Sequence, residues 1–89
     1  MGYTSTNVSV GTVATKVVSG DSNYQKVWFH NHEHANNHEI FLGGSGVTTT
    51  TGFHLQHTET FAMDIPPGDE LWAIADGASR DLRIFIWRQ

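Results

Sequence analysis

The chain lacks cysteine and is poor in basic residues. Its 89 residues include no Cys and only five Lys and Arg against nine Asp and Glu, which gives a formal net charge of −4. Without cysteine there is neither a disulfide nor a thiolate metal site. The shortage of basic residues argues against a phosphate-binding surface, so we expect neither nucleic acid nor an acidic membrane as a partner.

Long apolar runs are also missing. No apolar stretch approaches membrane-spanning length and no basic leader precedes an apolar segment, so the sequence predicts no transmembrane span and no signal peptide. We therefore expect the protein to be made and kept in cytosol. A chain of 89 residues fits one domain with a thin core, for which neighbouring subunits or a bound ion are the remaining sources of stability.

Apolar and polar residues alternate with period two along the whole chain, and no segment combines helical apolar spacing with helix caps. The alternation changes phase at Gly11, where we expect the first strand to bend or divide. Pro66-Pro67-Gly68-Asp69 predicts a type II turn with Pro67 and Gly68 in its centre.

These patterns predict one all-β domain over residues 1–89, a small β-sandwich or jelly-roll-like barrel of about 7–8 antiparallel strands. Residues 1–6 are expected to form a flexible N-terminal arm. In the last strand, Leu82, Ile84 and Ile86 alternate with Phe85 and Trp87, so the strand has a second apolar face that needs cover. We expect an inter-subunit contact to supply it.

Histidines are concentrated in one segment, with four of the six between His30 and His38. On a strand, His30, His32 and His34 would project from the same face. Neutral imidazoles in such a row either form a hydrated polar face or share one ion. We favour the hydrated face and keep the ion, with His38 and Glu39 as further candidate ligands, as the alternative.

Part of this segment, His32-x-His34 followed by Glu39, resembles the first metal motif of the cupin family, which is itself a jelly roll. The sequence departs from the family at Lys26, where the motif has glycine, and at Leu71, where the second motif has histidine. These departures argue against a catalytic cupin site. A small cupin-like metal- or carbohydrate-binding module, with His32, His34 and Glu39 as its ligands, is kept as an alternative function.

Motifs of catalysis are absent from the sequence. It contains no nucleophile elbow, no phosphate-binding loop and no dinucleotide fingerprint. We therefore predict that the protein is not an enzyme and has no catalytic, cofactor-binding or metal-binding residues.

The order of the sequence elements resembles a family of short virion structural proteins of tailed bacteriophages. The matching segments are, in order, Val8-Ser9-Val10-Gly11-Thr12, Val27-Trp28-Phe29-His30-Asn31, Ile40-Phe41-Leu42-Gly43-Gly44, Val47-Thr48, Gly52-Phe53-His54-Leu55, Phe61, Pro67-Gly68-Asp69-Glu70-Leu71-Trp72-Ala73-Ile74 and Leu82 to Ile86. The histidine-rich insertion after Phe29 departs from the family, where a short polar loop is expected.

This resemblance implies a capsid decoration, or cement, protein with a β-sandwich fold. Its partners would be the major capsid protein and further copies of itself, as a homotrimer. The resemblance implies that such a protein is made in the host bacterial cytoplasm and sits on the capsid surface of the virion. A head-tail connector or a tail component is the alternative position within the same particle.

Overall fold

The computed structural model describes residues 2–88, which form eight β-strands. They are β1 (Gly2–Val10), β2 (Thr15–Val18), β3 (Gln25–Asn31), β4 (Ile40–Gly43), β5 (Phe53–Leu55), β6 (Thr60–Ile65), β7 (Leu71–Ala75) and β8 (Arg80–Arg88). In this part of the chain no helix is long and apolar enough to cross a membrane.

The strands form two four-stranded antiparallel sheets. Sheet I has the order β1-β8-β3-β6 and sheet II the order β2-β7-β4-β5. The antiparallel neighbours include β1 with β8, β2 with β7, β3 with β6 and β4 with β5. This nested pairing of early with late strands is the topology of an eight-stranded jelly roll. The predicted all-β sandwich is confirmed.

The core lies between the two sheets and follows the alternation in the sequence. Sheet I contributes Val10, Val27, Phe29, Ile65, Leu82, Ile84 and Ile86, and sheet II contributes Val17, Val18, Ile40, Leu42, Leu55, Ala73 and Ala75. A fully buried Val, Leu, Ile or Phe contributes about 1.5–3 kcal/mol by its removal from water. Leu82, Ile84 and Ile86 are buried in this core, so Phe85 and Trp87 are on the opposite face of β8, as their alternation predicts.

Two local predictions are confirmed as well. The chain leaves sheet I after Val10 and enters sheet II at Thr15, so the phase change at Gly11 divides two strands. At the Pro-Pro-Gly-Asp turn, Gly68 has φ of +86° and the Asp69 N–H donates to Pro66 O at 3.2 Å, as a type II turn requires.

The N-terminal segment differs from the expectation of a flexible arm over residues 1–6. Met1 lies outside the described residues, and Gly2 to Thr6 belong to β1, where they pair with β8 from Arg88 to Ile84. Strand pairing uses the backbone, and the partner strand lies at the other end of the sequence, so the local sequence pattern does not reveal this pairing.

A buried asparagine joins the end of β3 to three other segments. Asn31 is fully buried, and its Nδ2 donates to the carbonyl oxygens of His38 and Leu55, both at 3.0 Å. Its Oδ1 accepts the Glu33 N–H at 3.2 Å, and its own N–H donates to Glu59 O at 3.0 Å. Because these polar groups are paired, Asn31 fixes the positions of the chain segments around it.

Replacing Asn31 by alanine should destabilise the fold by about 2–4 kcal/mol, because the carbonyl groups of His38 and Leu55 lose their donor. The measurement is the free energy of unfolding in urea. Asn36→Ala, at an exposed position in the neighbouring loop, is the control and should change stability by less than about 0.5 kcal/mol. Equal stabilities of the two variants would contradict a structural role for Asn31.

Candidate docking surface

Sheet I carries aromatic side chains on the face that points away from sheet II. We call Tyr3, Trp28, Phe85 and Trp87 the aromatic strip. Trp28 pairs across the sheet with Phe85, and Tyr3 with Trp87. The Tyr3 ring stacks on Phe85 with centroids 5.2 Å apart, and Trp28 meets the same ring at 5.4 Å. Tyr3, Phe85 and Trp28 therefore form a connected set of rings across β1, β8 and β3, and Trp87 belongs to the same face by its pairing with Tyr3.

The aromatic strip is partly open to solvent, because sheet II covers the opposite face of sheet I. Tyr3 is 67% exposed and Phe85 is 39% exposed. The Lys26 ammonium lies 5.8 Å from the centre of the Trp28 ring, a cation–π contact at one margin of the strip. Exposed aromatic patches with a polar rim are typical of protein interaction sites.

A shallow depression of about 530 Å³ continues this face beyond the rings. It is lined by Ser5, Asn7, Trp28, His30, Arg83 and Phe85, among others. The Arg83 Nε donates to both carboxylate oxygens of Asp81 at 3.1 Å. This hydrogen bonding holds the pKa of Asp81 below its ordinary value, with smaller contributions from the nearby His32 and Asn7. The positive charge of Arg83 is therefore balanced by the carboxylate of Asp81.

The predicted histidine row, His30, His32 and His34, forms at the end of β3. The rings of His30 and His32 lie 5.5 Å apart and those of His32 and His34 lie 5.3 Å apart. The strand itself ends at Asn31, but the His32 N–H still donates to Asp81 O at 2.9 Å. Through this hydrogen bond, backbone pairing with β8 continues for one residue beyond the end of β3 and places His32 beside His30.

Glu33 ties the histidine segment to β8. Its Oε1 accepts from His38 Nδ1 at 2.7 Å and its Oε2 accepts from the Asp81 N–H at 2.8 Å. The His38 hydrogen bond, followed by that of the Asp81 backbone, lowers the pKa of the Glu33 carboxyl, and the positive charge of Arg80 adds to the effect. Glu33 therefore acts as an ionised clamp on the loop.

The cupin-like ligands do not meet. Glu39 accepts from His54 Nε2 at 2.6 Å and from His57 Nδ1 at 3.3 Å, whereas the His32 ring packs between those of His30 and His34. Within residues 2–88, no group of three or more His, Asp or Glu side chains has an arrangement that could hold a metal ion.

A second apolar feature lies at the other edge of the sandwich, where β5 and β6 face each other from opposite sheets. Phe53 and Phe61 have ring centroids 4.5 Å apart, and Phe53 is 54% exposed. A slot of about 250 Å³ is lined by Leu42, Gly43, Phe53, Phe61, Met63 and Leu71. The protein thus exposes apolar surface at two separate places.

Compared with known proteins, the chain matches no family model, no curated protein and no solved structure. Its function has to be inferred from its own residues. Sequence reasoning identified Phe85 and Trp87 as an uncovered face but missed Tyr3, which was assigned to the arm. Tyr3, Ser5, Asn7 and Ser9 lie in one phase and Thr4, Thr6, Val8 and Val10 in the other, and this alternation could have placed Tyr3 on a strand.

Glu33→Gln should make the free energy of unfolding less dependent on pH in the acid range. A carboxyl with a lowered pKa contributes its full stabilisation above the ordinary value of 4.5 and loses it as the pH falls through the lowered value. The wild-type free energy of unfolding should therefore fall more steeply in this range than that of the variant, which should be less stable by about 1–3 kcal/mol at pH 7.

Denaturant unfolding between pH 7 and pH 3 measures both effects. Asp69→Asn, at an exposed position of the type II turn, serves as the control because it removes one carboxylate outside the clamp. Parallel stability curves for the wild type and Glu33→Gln would show that the clamp contributes nothing.

Proposed function

We propose that the protein is a structural component of a tailed-bacteriophage virion, a decoration protein that binds the outer surface of the capsid through its aromatic strip. Its principal partner is the major capsid protein, and it stabilises the head by bridging capsid subunits. It is made in the host cytoplasm and joins the assembled particle.

The observation that carries this proposal is the uncovered aromatic strip. Four aromatic side chains lie on one face of sheet I. Transfer of the exposed Tyr3 and Phe85 rings from water into an interface would be favourable. Aromatic residues are enriched at the centres of protein interfaces, where they carry much of the binding energy. A partner protein that covers the strip would bury these rings.

The fold and the resemblance add to this support. Jelly rolls occur in viral capsid domains, although also in lectins and cupins, so the fold alone does not choose between them. The ordered segments that resemble phage virion proteins favour the capsid. A connector or tail position would use the same strip on a different partner, and the particle location distinguishes these positions.

The depression beside the strip favours carbohydrate binding as a second candidate function. An aromatic wall formed by Trp28 and Phe85 next to the polar groups of Asn7, His30 and Arg83 suits a sugar ring, which has an apolar face and peripheral hydroxyl groups. Titration with soluble cello-, malto- and chito-oligosaccharides should then shift the amide resonances of these residues. No shift with any of the three would reject this candidate.

Phe85→Ala should weaken capsid binding about 30-fold or more, because Phe85 contacts both neighbouring rings of the strip and central aromatic residues contribute about 2 kcal/mol or more to binding. The measurement is co-sedimentation with empty capsids assembled from the major capsid protein encoded in the same genome. Circular dichroism and thermal unfolding establish that the variant keeps the fold.

Val13→Ser is the matched control, because Val13 is exposed but lies in the loop between β1 and β2. It should bind capsids as the wild type does. Failure of the wild type to sediment with capsids would overturn the decoration role. Equal loss of binding in both variants would show that the strip is not the contact.

A further inference from the structure

Within residues 2–88, β1 has a neighbouring strand on one side only. β1 lies at the end of sheet I and pairs with β8 in unbroken register from Gly2 opposite Arg88 to Val10 opposite Arg80. In an antiparallel edge strand, about half of the backbone N–H and C=O groups point away from the neighbour. Nine residues of β1 therefore offer a ladder of hydrogen-bonding groups to a further strand.

The other three sheet edges have features that oppose pairing. β2 is four residues long, carries Lys16 and has a break in its register between Lys16 and Val18. β5 has only three residues. β6 contains Asp64 and is flanked by Glu59 and Pro66. Short length, charge, irregular register and proline are the usual protections of an edge strand.

β1 has none of these protections. Its sequence, GYTSTNVSV, contains no charged residue and no proline, although the chain as a whole carries a charge of −4. Thr4 and Thr6 are on the side of the sheet that faces the core, opposite Ile86 and Ile84, yet both are exposed. This half of β1 therefore extends beyond the cover that sheet II provides.

We propose that β1 pairs antiparallel with β1 of a second copy around a twofold axis at Thr6, which joins two four-stranded sheets into one of eight strands. In this register Thr4 lies opposite Val8 and Ser5 lies opposite Asn7, so core-side residues meet core-side residues. The β-branched pairs Thr4–Val8 and Thr6–Thr6 are favourable neighbours on a sheet.

A second copy fits this edge because β1 is neutral along its whole length and pairs with itself in a register that keeps core-side residues opposite each other. Two acidic chains can approach here without placing like charges opposite each other. The contact is isologous and closes at two copies, unlike the trimer implied by the phage resemblance. The pairing does not depend on the virion role, since it is measured on the isolated chain.

Charged substitutions at Thr6 test whether the twofold axis of the proposed dimer passes through this residue. The wild type should sediment as a dimer at equilibrium, whereas Thr6→Lys and Thr6→Glu should each raise the dissociation constant about tenfold or more by placing like charges opposite each other. An equimolar mixture of the two variants should regain the dimer, because opposite charges then face each other. Thermal unfolding of each variant establishes that it is folded.

A wild type that is monomeric up to millimolar concentration, or trimeric, would overturn the proposal. So would dimers of Thr6→Lys as tight as those of the wild type, or a mixture that stays monomeric. Thr6→Asn is the uncharged control and should dimerise as the wild type does.

Cysteine substitution tests the register independently, and the natural chain has no cysteine to interfere. Directly opposite residues in an antiparallel pair have Cα atoms about 4.5–5.5 Å apart, within disulfide range. Thr6→Cys should therefore form a covalent dimer on mild oxidation. Ser9→Cys should not, because its two copies would lie about 20 Å apart. Equal cross-linking of both variants would contradict the register.

Discussion

The apolar layer between the two sheets is the constraint on which the rest of the molecule depends. Each strand turns one row of side chains into this layer, and Phe29, Ile40, Leu55 and Leu82 are fully buried there. With four strands in each sheet, the chain can cover one face of each sheet and no more. The outward rows of sheet I, including the aromatic strip, therefore remain in water unless another molecule covers them.

Local features of the fold could be predicted from the sequence because short-range geometry determines them. Gly11 separates two phases of alternation, and Pro67-Gly68 has the dihedral preferences of one turn type. The position of Tyr3 could not be predicted in this way, because β1 is defined by pairing with β8 at the other end of the chain. Likewise, no sequence pattern brings Glu39 to His54 and His57, which meet only when β4 and β5 pair.

Hydrogen bonds within the protein hold the histidine segment from two sides. Asn31 holds it from the buried side through carbonyl groups, and Glu33 holds it from β8 through His38 and the Asp81 backbone. Because the carboxylate of Glu33 uses both oxygens, the loop depends on one ionised group. His32, His34 and Glu39 have cupin-like spacing in the sequence, but in the structure Glu39 contacts His54 and His57, whereas His32 and His34 contact each other.

The aromatic strip and the free edge of β1 both belong to sheet I, and this has a consequence for binding. Strand pairing keeps each side of the sheet continuous, so a dimer joined at β1 would present two aromatic strips on the same side. A contact made by one strip would be followed by a second, intramolecular contact wherever the target repeats with matching spacing. A repeating protein lattice has this property, and an isolated soluble target does not. On such a surface a modest affinity of each strip would become strong binding of the proposed dimer.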